Sequence, residues 1–417
     1  MRWKRIFGKH LRKLEALEIL KYIGPGFLVT VGFIDPGNWA SNVAAGSQYG
    51  YYLLWIVTFS TIMLIVLQHN AAHLGIVTGL CLSEASTKYF RKGASRLFLL
   101  TAILASVSTA LAEVLGAAIG LNMLFGIPLT LGATLSALFA GYVTFSKGYR
   151  KLEKVIIGFV SLIGLSFIFE LALVRIEWSE ALRGWVTPSS PHGSLPIVMS
   201  ILGAIVMPHN LFLHSEIIQS RQWNLEAEEV VKRQLKYEFT DTLFAMIMGW
   251  AINSAMILLA ASVFYSSGVV VTDLPQAEMT LRPLLGNAAA FVFALALLFS
   301  GLSSSITAAM AGGSIFAGIF EEPFDMSDNH SRAGVLITLL GGLIIVFFLT
   351  DPFQGIIWSQ IILSIQLPWT IFSLLLLTSS PGVMGKFSNS LKDNVLLWST
   401  AVVVSVLNVM LLVQVFQ

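Results

Sequence analysis

The sequence predicts an all-α polytopic membrane protein of eleven transmembrane helices, ten of them in two inverted five-helix repeats. Three observations lead there. The 417 residues are 56% hydrophobic and only 12% charged, with mean hydropathy +0.79, whereas soluble domains carry about 25% charged residues. Apolar runs of membrane-spanning length recur along the chain. Two of those runs are interrupted at their centres by a proline among polar residues, at corresponding places in the two halves.

The spans fall near 22–46, 51–74, 96–124, 127–146, 154–175, 195–219, 238–265, 288–318, 333–350, 353–378 and 394–416. A basic segment, 1–21, precedes them and lacks the apolar stretch of a signal peptide, which predicts a cytoplasmic N-terminus. With that orientation every Lys and Arg except Arg175, Arg183 and Arg282 lies on the cytoplasmic side, the positive-inside bias expected of a multi-pass plasma-membrane protein. The odd number of spans puts the C-terminus outside. The segments are therefore a basic tail (1–21), a first repeat (22–175), an extracellular loop (176–194), a second repeat (195–378) and a final helix with its connection (379–417). Cys81 is the single cysteine, which excludes an intramolecular disulfide and a Cys-based metal cluster. Nothing points to nucleic acid, a resident cofactor or an obligate protein partner; the predicted partners are membrane lipid, a cation and protons.

The first interruption is IDPGNWASN, Ile34 to Asn42, and the second is AIVMPHNLFLHS, Ala204 to Ser215. Asp35-Pro36-Gly37-Asn38 and Met207-Pro208-His209-Asn210 share the pattern x-Pro-x-Asn, in the first and sixth spans. Paired breaks of this kind point to an inverted-repeat transporter with its site at the midplane. A carboxylate at membrane depth costs a few kcal/mol at least, and a broken helix leaves carbonyls that must line a cavity or bind something. A cation offsets both costs.

Asp35 offers a charged oxygen, Asn38 an amide oxygen, Met207 a thioether and the breaks the carbonyls of Gly32 and Ala204. Oxygen donors alone suit magnesium, calcium or sodium; sulfur shifts preference toward later transition metals or cadmium. The mixed set points to manganese or ferrous iron, with cadmium as a surrogate. Each residue also has a plainer reading: Met207 as packing, Asn38 as a helix cap. Glu113, His209 and His214 suit a proton relay or interhelical hydrogen bonds. His69 and His73 have metal-ligand spacing but sit near the cytoplasmic end of their span, where a solvated or headgroup role is the simpler reading. Asp241 and Asn253 fit packing or an ion path equally.

The two breaks, with LGIVTG at 74–79, AEVLG at 112–116, YRKLE at 149–153, GLSSSIT at 301–307 and Gln360 ahead of Leu367-Pro368, resemble the Nramp family of divalent transition-metal transporters. The likeness covers about residues 22–380. It implies a LeuT-like fold in which a bundle rocks against a scaffold, with metal held at Asp35, Asn38, Met207 and the Ala204 carbonyl, joined in some states by Gly32 and Gln360. It also implies proton entry near Asp35 and exit past Glu113, His209, His214 and Arg221. Three positions depart from the family pattern: Ala110 stands where an aspartate is usual, Arg332 is what remains of an arginine pair, and Leu302 replaces a glutamine. A proton wire short of an acid and an arginine predicts loose coupling. Two other functions fit the same spans: a sodium-coupled amino-acid transporter of this fold, and a membrane-embedded metalloenzyme built on the histidines.

Overall fold

A computed structural model describes residues 34–146, 165, 169, 171–277 and 287–415, and the regular elements among them are helices. The first half of the first predicted span with Gly32, most of the fifth span and the basic 1–21 segment lie outside the described residues. Residues 34–146 contribute α1 (Pro36–Tyr49), α2 (Leu54–Thr78), α3 (Leu82–Tyr89), α4 (Lys92–Phe125) and α5 (Leu129–Ser146). After α6 (Trp178–Val186) come α7 (Leu195–Val206), α8 (Pro208–Gln219), α9 (Glu228–Val263), α10 (Asn287–Gly318), α11 (Asn329–Val346) and α12 (Pro352–Thr378). The short α13 (Pro381–Met384) leads to α14 (Leu391–Val415).

Among the described residues nine crossings are long and apolar enough to span a bilayer, with α7 and α8 together forming one. Leucines and aromatics such as Leu97, Leu104, Leu138, Tyr142 and Phe348 are exposed on their outer faces, as lipid-facing positions must be. The inner face of α4 is built from small residues, including Ala102, Ala105, Ser106, Thr109, Ala110, Ala112 and Ala117, all buried. Small side chains let backbones approach closely in membranes. Accordingly α4 packs against α5, α10, α11 and α12, while α9 packs on α1 and α2, and α7 on α12.

Three helices fall where loops or shorter spans are predicted. α9 starts at Glu228, well before 238, because its first turns are charged and held by a Lys232–Glu228 ion pair of 2.8 Å; a hydropathy window does not register a polar helix extension. The 176–194 loop contains the amphipathic α6. A further short helix, α3, follows Gly79, which ends α2 in the left-handed conformation at φ 67°.

Candidate metal centre

Local backbone chemistry sets both breaks. Pro36 is the first residue of α1, and Asp35 caps that helix: its Oδ1 accepts from Asn38 N at 2.7 Å. The cap is thus Asp35, and Asn38 is left to use its side chain elsewhere. The Ile34 carbonyl is already taken by Trp39 Nε1 at 3.1 Å and by the Ser300 hydroxyl.

At the second break, Pro208 has no N–H. In a continuous helix that N–H would bond to Ala204 O, four residues back. The freed Ala204 carbonyl is met instead by Asn38 Nδ2 at 2.9 Å, and the same nitrogen donates to Asp35 Oδ1 at 2.9 Å. One amide therefore joins the start of α1 to the break between α7 and α8. Met207, between α7 and α8, has φ 34° and ψ 94°, a conformation costing a non-glycine residue about 1–3 kcal/mol. It is fully buried, and Asn210 Nδ2 lies 3.3 Å from its sulfur.

Gln360 of α12 completes the cluster. Its backbone lies so close to Gly203 that any side chain there would run into it, and its amide occupies the space a side chain at Gly37 would need. Two glycines thus admit α12 to both breaks. Gln360 Nε2 donates to Ser359 Oγ at 2.9 Å, while its buried Oε1 has no donor among the described residues. Gly116 of α4 seats Pro36 in the same way. Asp35, Asn38, Ala204, Met207 and Gln360 are all within 1% of full burial.

The groups expected to carry protons lie around this cluster. The carboxyls of Asp35 and Glu113 come within hydrogen-bonding reach of each other, and the Ser304 hydroxyl donates to Glu113 Oε2. His209 Nδ1 pairs with Thr109 Oγ1 at 3.1 Å, and His214 Nδ1 with Gln68 Oε1 at 2.6 Å. Arg221 sits in the turn after α8, half-buried and away from the breaks in sequence. Asn253 accepts from Asn42 Nδ2 at 2.6 Å, tying α9 to α1, and Asp241 is buried on α9. Ser304 is the member of the GLSSSIT motif that reaches an acid; Thr109 and Gln68, the histidine partners, carry no motif of their own.

The start of α1 and the α7–α8 break meet at a buried centre of carboxylate, amide, carbonyl and thioether inside an all-helical membrane bundle, an arrangement that suits a transporter scaffold. The profile described as Natural resistance-associated macrophage protein-like, Nramp, matches residues 26–414. The chain belongs to the Nramp family. It is 38% identical over 408 residues to a divalent metal cation transporter from Caldanaerobacter subterraneus subsp. tengcongensis, covering 96% of this chain and 94% of that one. A divalent metal cation transporter from Ralstonia nicotianae is also 38% identical, over 95% of this chain and 92% of its own length. Among solved structures, the Eremococcus coleocola manganese transporter superimposes with TM-score 0.79 at 29% identity, over 94% of this chain and 86% of that chain. Mhp1, a nucleobase-cation-symport-1 family transporter, shares the LeuT-like fold, with TM-score 0.63 at 16% identity over 89% of this chain and 81% of its own.

Proposed function

We propose that this protein is a secondary transporter that imports divalent transition-metal ions, manganese and ferrous iron, across the plasma membrane by alternating access, with proton cotransport. The observation that carries the reading is the single Asn38 amide bonded to both Asp35 and the Ala204 carbonyl, which places a charged oxygen and a freed backbone oxygen on one donor at the meeting of the two breaks. An N–H and a metal ion compete for the same oxygens. Turning the amide would present Asn38 Oδ1 with Asp35 and Ala204 to a cation, beside the Met207 sulfur. Gln360, whose Oε1 lacks a donor among the described residues, is the added oxygen from α12, and Gly32 is assigned the matching carbonyl of the first break.

Neighbouring carboxyls support cotransport. Asp35 and Glu113, buried together, repel each other if both are charged, so a proton or a cation must offset them. Metal arriving at Asp35 displaces a proton toward Glu113, and His209, His214 and Arg221 continue the route to a cytoplasm on the side of the N-terminus. Ala110, which presents no acid to this route, makes the coupling loose.

The curated relatives are named as metal transporters, neither amino-acid carriers nor enzymes. Uptake by purified protein in proteoliposomes tests the reading: manganese enters and cadmium competes, while leucine does not. Saturable leucine uptake with no manganese uptake would overturn it.

A further inference from the structure

Below His214, away from the breaks, lies a second cluster of titratable groups that the metal centre does not use. Glu238 of α9 has a side chain only 2% exposed. A carboxylate so buried in a membrane bundle needs a partner, and it has two. His69 Nδ1 donates to Glu238 Oε2 at 2.7 Å, and the Thr242 hydroxyl donates to Oε1 at 2.6 Å. Each carboxylate oxygen receives a hydrogen, so His69 is fixed with its proton on Nδ1 and its Nε2 turned elsewhere. The His69 side chain is 29% exposed, unlike its partner: the pair has one buried end and one exposed end.

His69 follows Gln68, whose Oε1 fixes His214 in the same tautomer at 2.6 Å. Both imidazoles are thus held through Nδ1 by an oxygen. His214 Nε2, Gln68 Nε2 and His73 Nε2 are buried with no partner among the described residues. The rings of His69 and His73 stack with centroids 6.1 Å apart, and Phe239 abuts His69 edge-on at 5.1 Å. His73 lies one turn along α2 from His69, and Asp393 stands in the first turn of α14. The groups facing this cluster are therefore His69 and His73 from α2, His214 from α8, Glu238 from α9 and Asp393 from α14.

We propose that the His69–Glu238 pair, with His73 beside it, is the station through which protons leave for the cytoplasm, replacing an exit through position 110. It rests on the cotransport reading and extends it. A proton taken up at His214 Nε2 passes to His69 Nε2; Glu238 stabilises the imidazolium that forms, as a buried carboxylate does for any histidine it orients. The proton then departs from His69 at its exposed end, and no other bond changes. Gln68 and Thr242 act as positioning residues, holding His214 and Glu238. The two imidazoles and Glu238 do not converge on one point as ligands to an ion would: among the described residues they form no metal-binding cluster of three.

The test uses full-length protein in proteoliposomes, with a lumenal pH dye and manganese uptake followed together. Wild type, Glu238→Gln, His69→Gln and Glu238→Asp are compared, and manganese binding is titrated on each. The expected result is a proton-to-manganese ratio reduced roughly tenfold in Glu238→Gln and His69→Gln, partly recovered in Glu238→Asp, with manganese affinity unchanged. Wild-type ratios in both variants overturn the station and leave cotransport standing. Loss of manganese binding in step with proton flux marks the pair as structural and also overturns it. A wild type that carries manganese without protons overturns both the station and the cotransport reading.

Discussion

Asp35 carries two duties that conflict outside a transporter. It caps α1 through Oδ1 and is the one formal negative charge among the proposed metal donors. Replacing it by alanine costs a cap worth about 0.5–2 kcal/mol, which a bundle of this size tolerates, but leaves only neutral dipoles facing a divalent ion. Asp35→Ala is therefore expected to fold and insert yet take up no manganese, checked by size-exclusion profile and proteoliposome uptake. Asn38→Ala removes an oxygen that water can replace, so its affinity should fall less while transport persists. Near-wild-type uptake by Asp35→Ala would remove the carboxylate from the site. Sequence made Asp35, Asn38 and Met207 visible because each stands within two residues of a proline inside an apolar run. Their neighbours were not visible: Gln68, Thr109 and Glu238 matter through residues at least a hundred positions away, and only packing brings such pairs together.

At the scale of elements, the same chemistry is used in two ways. Pro208 frees the Ala204 carbonyl, and an amide that must move, Asn38, occupies it. Pro368 inside α12 has no N–H for Ser364 O, and there Asn408 of α14 supplies the donor at 2.9 Å, bonding also to Val404 O at 2.9 Å. In the proposed site the first carbonyl is kept for exchange; the second is closed by Asn408, which docks α14 against α12. Asn408→Ala leaves a buried carbonyl without its donor, at a cost of about 1–3 kcal/mol. It should lower the unfolding temperature in detergent without altering metal affinity, as differential scanning fluorimetry and metal titration would report. An unchanged unfolding temperature would mean that the kinked carbonyl finds another partner. The crossings were legible from apolar length, but α3, α6 and the polar start of α9 were not, since such helices are held by caps, ion pairs and docking rather than by hydropathy.

At the scale of the molecule, the proposed metal centre and the proposed proton route share Asp35 but diverge beyond it. Ala110 is buried where Gly342 brings α11 against α4. An acid introduced there would enter a close-packed contact. Ala110→Asp is expected to raise the proton-to-manganese ratio while lowering thermal stability, measured with the paired dye and uptake assay and by thermal unfolding. An unaltered ratio would contradict the reading that Ala110 is what loosens the coupling. Two proline breaks at corresponding places led to the expectation of two inverted halves; which side chains bridge α1 to α7 and α9 was not legible, because Ser41 with Ser200 and Asn42 with Asn253 are ordinary residues until the helices meet.

Selectivity tests the central claim most directly. Calcium and magnesium bind oxygen donors readily, and a site of Asp35, Asn38 and Ala204 alone would accept them. A thioether gives little to those ions and a real bond to softer metals. The decisive measurement is isothermal titration of cadmium, manganese and calcium into purified wild type and Met207→Ala. Wild type should bind cadmium and manganese and ignore calcium, whereas Met207→Ala should lose most of its cadmium affinity, keep part of its manganese affinity and begin to bind calcium. Unchanged cadmium affinity in Met207→Ala, with calcium still excluded, would make Met207 a packing residue and contradict the assignment of the two breaks as a transition-metal site.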